Sequence, residues 1–332
     1  MTSNAVDLEA LPSSVGTFIC VVCHQAHWSE VAPDDHRFQL FRCRECGCYR
    51  IDLKRPPSIE LYDRYHSDDS AQRLSGIFHP LWRMIRRQRA KRILRSAPAN
   101  SRVCDVGCER GELLAVLKQA GWAVEGTQLS RPAAEFARRH FGINVYVGEL
   151  ADAPFARDTF DVILMIHVLE HLPSPEAYLA QVRRMLRPGG VFWVEVPNAG
   201  SLTARLCGKR WLHHDPEHHY WNFTKRGLLC LLGRQGFAIE RMHHYSWEHA
   251  PIGCVQSWLN FLPGPRNVVF GIIREGLSKQ PRVLAVQLLH AALAALLLPA
   301  ACIVSTLESF CGEGQIILVR ARRDAGNEPR PT

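Results

Sequence analysis

The stretch from Trp211 to Thr224 holds the densest grouping of proton-handling side chains in the chain. His213, His214, Asp215, Glu217, His218 and His219 are interleaved there with Trp211, Tyr220, Trp221 and Phe223. Imidazole changes charge nearest neutral pH, so such a group suits proton abstraction from a bound nucleophile. The same residues offer an alternative, a metal site built from His213, His214, Asp215 and His218, although their spacing fixes no coordination geometry. A further histidine, His171, lies in a Leu-Glu-His-Leu run and is a second candidate base.

Cys20-x-x-Cys23 and Cys43-x-x-Cys46 are separated by nineteen residues. Each CxxC turn brings two thiolates to one point, and four thiolates satisfy tetrahedral zinc. Phe38, Leu40 and Phe41 between them predict a short hairpin that closes the two turns on each other. A module of this size cannot hold itself by apolar burial, so bound metal would supply folding energy. A site closed by Cys20, Cys23, Cys43 and Cys46 leaves no position for a substrate, which makes its zinc structural. Cys48, His24 and His27 are spare ligands, and four unrelated buried cysteines are the alternative. Most of the other cysteines among the twelve are scattered, as expected of free thiols in a reducing compartment.

These groups need a frame. Residues 102–106, Arg-Val-Cys-Asp-Val, read as a buried strand that runs into Gly107-Cys108-Glu109-Arg110-Gly111 and then an apolar helix. Glycine lets backbone approach a ligand, and the helix N-terminus offers unpaired N–H groups. Further strands are predicted at 122–127, 143–147, 160–166, 191–196 and 237–243, with helices between them. Such alternation implies a parallel sheet with right-handed crossovers and ligand loops at the strands' C-terminal ends. Pro56-Pro57 ends the cysteine module (1–55). A linker with Tyr62, Tyr65 and His66 follows, then a basic helix at about 80–96 (segment 56–98). The sheet domain takes 99–245 and 314–323, with an insertion at 246–313.

The runs Val-Cys-Asp-Val-Gly-Cys-Glu-Arg-Gly (103–111), Phe-Asp-Val-Ile (160–163), Val-Leu-Glu-His-Leu-Pro (168–173) and Leu-Arg-Pro-Gly-Gly (186–190) resemble, in order and spacing, the signatures of class I S-adenosylmethionine-dependent methyltransferases. The resemblance implies an α/β, Rossmann-like seven-stranded sheet whose last strand is antiparallel, with residues 315–319 suiting that strand. It implies cofactor contacts at Asp105, Gly107 and Gly111, at Gln128 beside the ribose, at Glu149 and Leu150 beside the adenine, and at His167 beside the methionine end. Two positions depart from the family pattern. Glu109 replaces the middle glycine, and Gln128 replaces the usual acid, although an amide can still accept and donate. The segment before Phe223-Thr224 resembles the Pro-x-His…Phe-Thr stretch of methyltransferases that carry such a cysteine module, and this makes His219 the favoured base. A GxGxxG dehydrogenase turn is excluded by Glu109 and Glu112.

The chain has 332 residues, 47% of them apolar, which opposes wholesale disorder. Its net charge of +8 permits an anionic partner without choosing one. Much of this charge lies in Arg83, Arg86, Arg87, Arg89, Lys91, Arg92 and Arg95, read first as a solvated helix face. Residues 1–17 lack a basic start followed by an apolar core, so no secretory leader is expected and the location is read as cytoplasmic. Val283 to Val304 carries no charged residue and is long enough to span a bilayer. Flanking strands in one sheet exclude a single crossing. The insertion is therefore a buried cap or homo-oligomer surface, a segment resting on the inner face of a membrane through 250–312, or a re-entrant span paired with Ile252–Ile273. The expected activity is methyl transfer to a small or lipid-linked hydroxyl acceptor such as a sugar, polyketide or glycolipid. The alternatives are an RNA methyltransferase, which lacks interleaved basic and aromatic readers, and a cofactor-binding protein without turnover.

Overall fold

The computed structural model describes residues 19–31, 38–53 and 83–324. Pro56-Pro57, the linker aromatics Tyr62, Tyr65 and His66, and residues 1–17 lie outside the described residues. Three short strands open the fold: β1 (Trp28–Val31), β2 (Phe38–Cys43) and β3 (Tyr49–Leu53). Residues 83–94 form helix α1. The chain then alternates β4 (Arg102–Val106), α2 (Glu112–Gln119), β5 (Ala123–Gln128), α3 (Arg131–Phe141), β6 (Asn144–Val147), β7 (Phe160–Ile166), α4 (Pro175–Met185) and β8 (Leu186–Pro197). After α5 (Leu202–Cys207), β9 (Trp221–Asn222), α6 (Lys225–Arg234) and β10 (Phe237–His243) come three inserted helices, α7 (Ala250–Leu259), α8 (Val268–Glu275) and α9 (Pro281–Phe310). Strand β11 (Ile316–Arg323) closes the fold.

The seven-stranded sheet has the order β10-β11-β8-β7-β4-β5-β6, and β11 runs antiparallel to both β8 and β10. The chain winds outward from β4 to β6, then restarts on the other side of β4 with β7. The crevice at the C-terminal ends of β4 and β7 is therefore the switch point where such sheets bind ligands. Local chemistry fixes the elements around it. Ser130 caps α3 by accepting the Ala133 N–H, with Pro132 in the first turn, and Gly142 in the left-handed region ends the helix. Gly107 and Gly111 both have φ of 73°. A Cβ on Gly107 would lie 2.6 Å from Val168 Cγ2, so the turn after β4 admits only glycine there.

The cysteine segment is built into this body. Strands β1, β2 and β3 form a second sheet that continues into β9, with Tyr49 opposite Asn222 and Arg50 opposite Trp221. Cys20, Val22, Trp28, Phe41 and Cys48 share one apolar cluster with Trp221, Phe223, Leu228 and the inner face of the large sheet. The insertion packs α7, α8 and α9 around Cys254, Val255, Leu259, Val269 and Ala301. Helix α9 runs through Pro299 without breaking.

Candidate active site

Strand β7 ends at Ile166, and the next residue, His167, takes φ of 54°, a left-handed conformation costly for a residue with a Cβ. The backbone is held there because His167 N–H donates to the Glu195 carbonyl at 2.8 Å. Its ring is held at both ends, with Nδ1 3.2 Å from Glu170 Oε1 and Nε2 3.1 Å from Glu195 Oε1. Burial alone would push this imidazole down. The hydrogen bonds and charges of Glu170 and Glu195 outweigh burial and raise it to about 10. Glu195 resists burial through the Arg89 charge and the His167 bond, and it stays well below the usual carboxylate range. Arg89, from α1, lies 3.0 Å from Glu195 and 3.3 Å from Glu248. The His249 ring lies 4.1 Å from the His167 ring at a tilt of 55°, and burial with the His167 charge holds it down to about 4.

A second group lies beside the first. His171 Nδ1 donates to the His218 carbonyl at 3.0 Å, and His219 Nδ1 donates to the His213 carbonyl at 3.1 Å. A nitrogen facing a carbonyl must carry the proton, so in the neutral ring each Nε2 is a lone pair. The two rings meet edge to face at 4.7 Å. One donor atom from each of Glu170, His171 and His219 lies within 4.8 Å of the others. Glu170 is 1% exposed, and its Oε2 has no hydrogen-bond partner. Burial, reinforced by His219, pushes His171 down to about 4. With both rings neutral, the free ring nitrogens and the second Glu170 oxygen are acceptors.

At the cofactor turn, Asp105 is buried at the end of β4. Burial, helped by the charge of Glu109, raises its carboxyl to about 8. Gly107 N–H and Cys108 N–H both donate to the Thr127 carbonyl, tying β4 to β5. Gln128 uses its side-chain carbonyl on the Leu129 and Ser130 N–H groups, at 2.7 and 3.3 Å. Its amide nitrogen remains as the side chain's donor. Glu149 accepts a hydrogen bond from the Tyr178 hydroxyl, and Leu150 is buried below it.

Cys20, Cys23, Cys43 and Cys46 converge, with Sγ–Sγ separations of 3.8 Å for Cys20–Cys46 and 3.5 Å for Cys23–Cys43. Zn–S bonds of about 2.3 Å give a tetrahedron with edges of about 3.8 Å, so this donor set fits zinc. Of the spare ligands, Cys48 lies beside Cys46, and the two histidines are engaged outside the four-thiol cluster. His24 is held between Arg234 and Glu176, His27 faces Glu45, and Cys48 Sγ accepts the Thr224 N–H at 3.4 Å. In the alternative metal set His218 pairs with Asp215 at 2.7 Å, whereas His213 faces His167 and His249.

Several residues of the site escaped the sequence reading. Arg89 sat in a helix read as a solvated face, although Ala90 and Ile93 beside it are buried. Glu195 is the one charge in the apolar run Val191–Val196, a signal open to use. Glu248 and His249 head the insertion, and nothing local announces that they fold back on His167.

A seven-stranded sheet in this order, with a glycine turn at its switch point, is the Rossmann-like fold of the class I methyltransferase type. The methyltransferase domain family matches residues 81–241. The chain is 31% identical over 152 residues to the ubiquinone biosynthesis O-methyltransferase of Thiobacillus denitrificans, covering 42% of this chain and 66% of the relative. It is 35% identical over 170 residues to the corresponding enzyme of Aromatoleum aromaticum, covering 48% and 72%. A solved S-adenosylmethionine-dependent methyltransferase from Mesorhizobium loti matches at 18% identity, over 68% of this chain and 94% of its own, with a TM-score of 0.42. The chain belongs to the class I S-adenosylmethionine-dependent methyltransferases. It spans just under two thirds of the length of the Thiobacillus relative.

Proposed function

We propose that the chain transfers the methyl group of S-adenosylmethionine to a hydroxyl of a small or lipid-linked metabolite, with His219 taking the proton. The observation that carries this reading is the convergence of Glu170, His171 and His219 within 4.8 Å of one another. An acceptor whose O–H groups point inward would satisfy these groups, and a neutral Nε2 would receive the proton as the oxygen attacks. The relatives' name, O-methyltransferase, agrees with an oxygen acceptor. S-adenosylmethionine supplies an electrophilic methyl group on a sulfonium. His167 and Arg89, set against Glu170, Glu195 and Glu248, leave one net negative charge in the connected network, which suits a cation. Gly107, Gly111, Asp105, Gln128, Glu149 and Leu150 would line the nucleoside. Zinc at Cys20, Cys23, Cys43 and Cys46 would hold the N-terminal turns.

His219→Ala should lower turnover by about a hundredfold or more and leave affinity for S-adenosylhomocysteine within about twofold. Unchanged turnover would remove His219 from the proton-transfer role. A lipid-linked acceptor is supported by α9, where Leu296, Ile303 and Phe310 are 75%, 62% and 84% exposed. It is the one helix among the described residues long and apolar enough to cross a membrane. With both flanking strands in one sheet, surface attachment at an inner membrane face is the geometry this supports.

A further inference from the structure

The loop that carries His219 lies between two neighbours. On one side Tyr220 N–H donates to the Glu170 carbonyl at 2.9 Å, and His171 donates to the His218 carbonyl. On the other side the Tyr220 carbonyl accepts the Ile51 N–H at 2.9 Å, and β9 pairs with β3. Thr224 closes the loop. Its hydroxyl donates to the Cys46 carbonyl at 2.5 Å and accepts the Gly227 N–H at 3.1 Å, so one side chain joins a cysteine turn to the cap of α6. The fit at this joint is close, since a Cβ on Gly227 would fall 2.1 Å from Cys48 Sγ.

We propose that Thr224, clamped to the Cys43–Cys46 turn, is a positioning residue for His219, so that metal held by the four cysteines sets the tautomer of the catalytic imidazole without setting cofactor affinity. The physical reason is the placement of the loop's backbone bonds. If the cysteine turn loosens, Thr224 loses its partner on Cys46, and the loop between Asp215 and Thr224 gains freedom at that end. His219 then no longer presents Nδ1 to the His213 carbonyl at a fixed angle, and its Nε2 stops being an obligatory acceptor. The cofactor turn after β4 is tied instead to β5 through Thr127, and none of those bonds passes through the cysteine strands. This inference rests on the methyltransferase reading above.

The test follows the His219 ring nitrogens by NMR in the full chain loaded with one equivalent of zinc. In parallel it measures S-adenosylhomocysteine affinity by calorimetry. The expected result is a single Nδ1–H form in the wild type and in Thr224→Ser. In Thr224→Val, and in wild type stripped with a chelator, the Nδ1–H to Nε2–H ratio should fall about fivefold, the weight of one hydrogen bond. Returning zinc to the stripped wild type should restore the first spectrum. Affinity for S-adenosylhomocysteine should stay within about twofold throughout. A His219 spectrum indifferent to both metal removal and Thr224→Val overturns the inference, as does a Thr224→Ser that behaves like Thr224→Val. Absence of S-adenosylhomocysteine binding in the zinc-loaded wild type would instead overturn the methyltransferase reading, whatever the imidazole does.

Discussion

Replacing His167 with glutamine tests the charge network at the end of β7 in a quantitative way. The imidazolium is held up to about 10 by Glu170 and Glu195, against about 6.5 in an unfolded chain. A group whose folded pKa is raised stabilises fully below the unfolded value and loses that stabilisation as pH climbs to the folded one. Between those limits the native state holds one more proton than the unfolded state, so stability falls by about 1.4 kcal/mol per pH unit. From pH 7 to 9 the wild type should lose about 2.7 kcal/mol that His167→Gln does not lose. At pH 7 the variant should be about 3–4 kcal/mol less stable, in line with breaking a buried ion pair, and by pH 10 the two should converge. Urea unfolding at half-unit pH steps reads this directly, provided the slope with denaturant is common to both chains. Taking the difference between the chains cancels the titration of the cysteines and of Asp105. Parallel stability curves from pH 7 to 10 would show that His167 is not a buried imidazolium, and the proposed match to a sulfonium would lose its basis.

Three further outcomes are expected. Asp105, raised to about 8 by burial and Glu109, costs the native state stability progressively as pH rises from about 4 to 8. Asp105→Asn should therefore flatten the stability profile in that window, which thermal melts at pH 5 and pH 8 will show. Gln128→Glu keeps one oxygen for the Leu129 and Ser130 amides and frees the other for the ribose hydroxyls. Calorimetry should report S-adenosylhomocysteine binding about tenfold tighter, the worth of one charge-assisted hydrogen bond. Replacing Leu296, Ile303 and Phe310 together with glutamine should abolish co-sedimentation with anionic vesicles and leave the melting temperature within about 2 °C, because these side chains contact solvent rather than core.

Much of the sheet was legible because its strands are buried runs broken by glycine and proline. Phe160–Ile166 is such a run, whereas Phe237–His243, expected at the same bounds, buries only Phe237. Strand β8 starts at Leu186 rather than Val191, because Leu186 pairs with Phe160 ahead of a register shift, a long-range bond hidden behind the Leu-Arg-Pro-Gly-Gly turn signal. Strand β11 continues to Arg323 through charged positions that read as surface. Arg323 donates to the Leu186 carbonyl, and Arg322 reaches Glu240. The site was legible one residue at a time. His167, His171 and His219 can each be named from motifs, but their joining through Glu170 comes from folding β7 against the 212–223 loop. Arg89 and His249 lie too far along the chain from Glu195 and His167 for any local pattern to link them.

The exposed helix α9 has a mechanical meaning as well as a chemical one. Its buried side locks onto α7 through Ala301, Cys254 and Val255, and α7 begins immediately after Glu248 and His249, which touch Arg89 and His167. Among the described residues, an exposed apolar surface is thus joined through α7 to a buried network of charges. A push on α9 would be felt at His167.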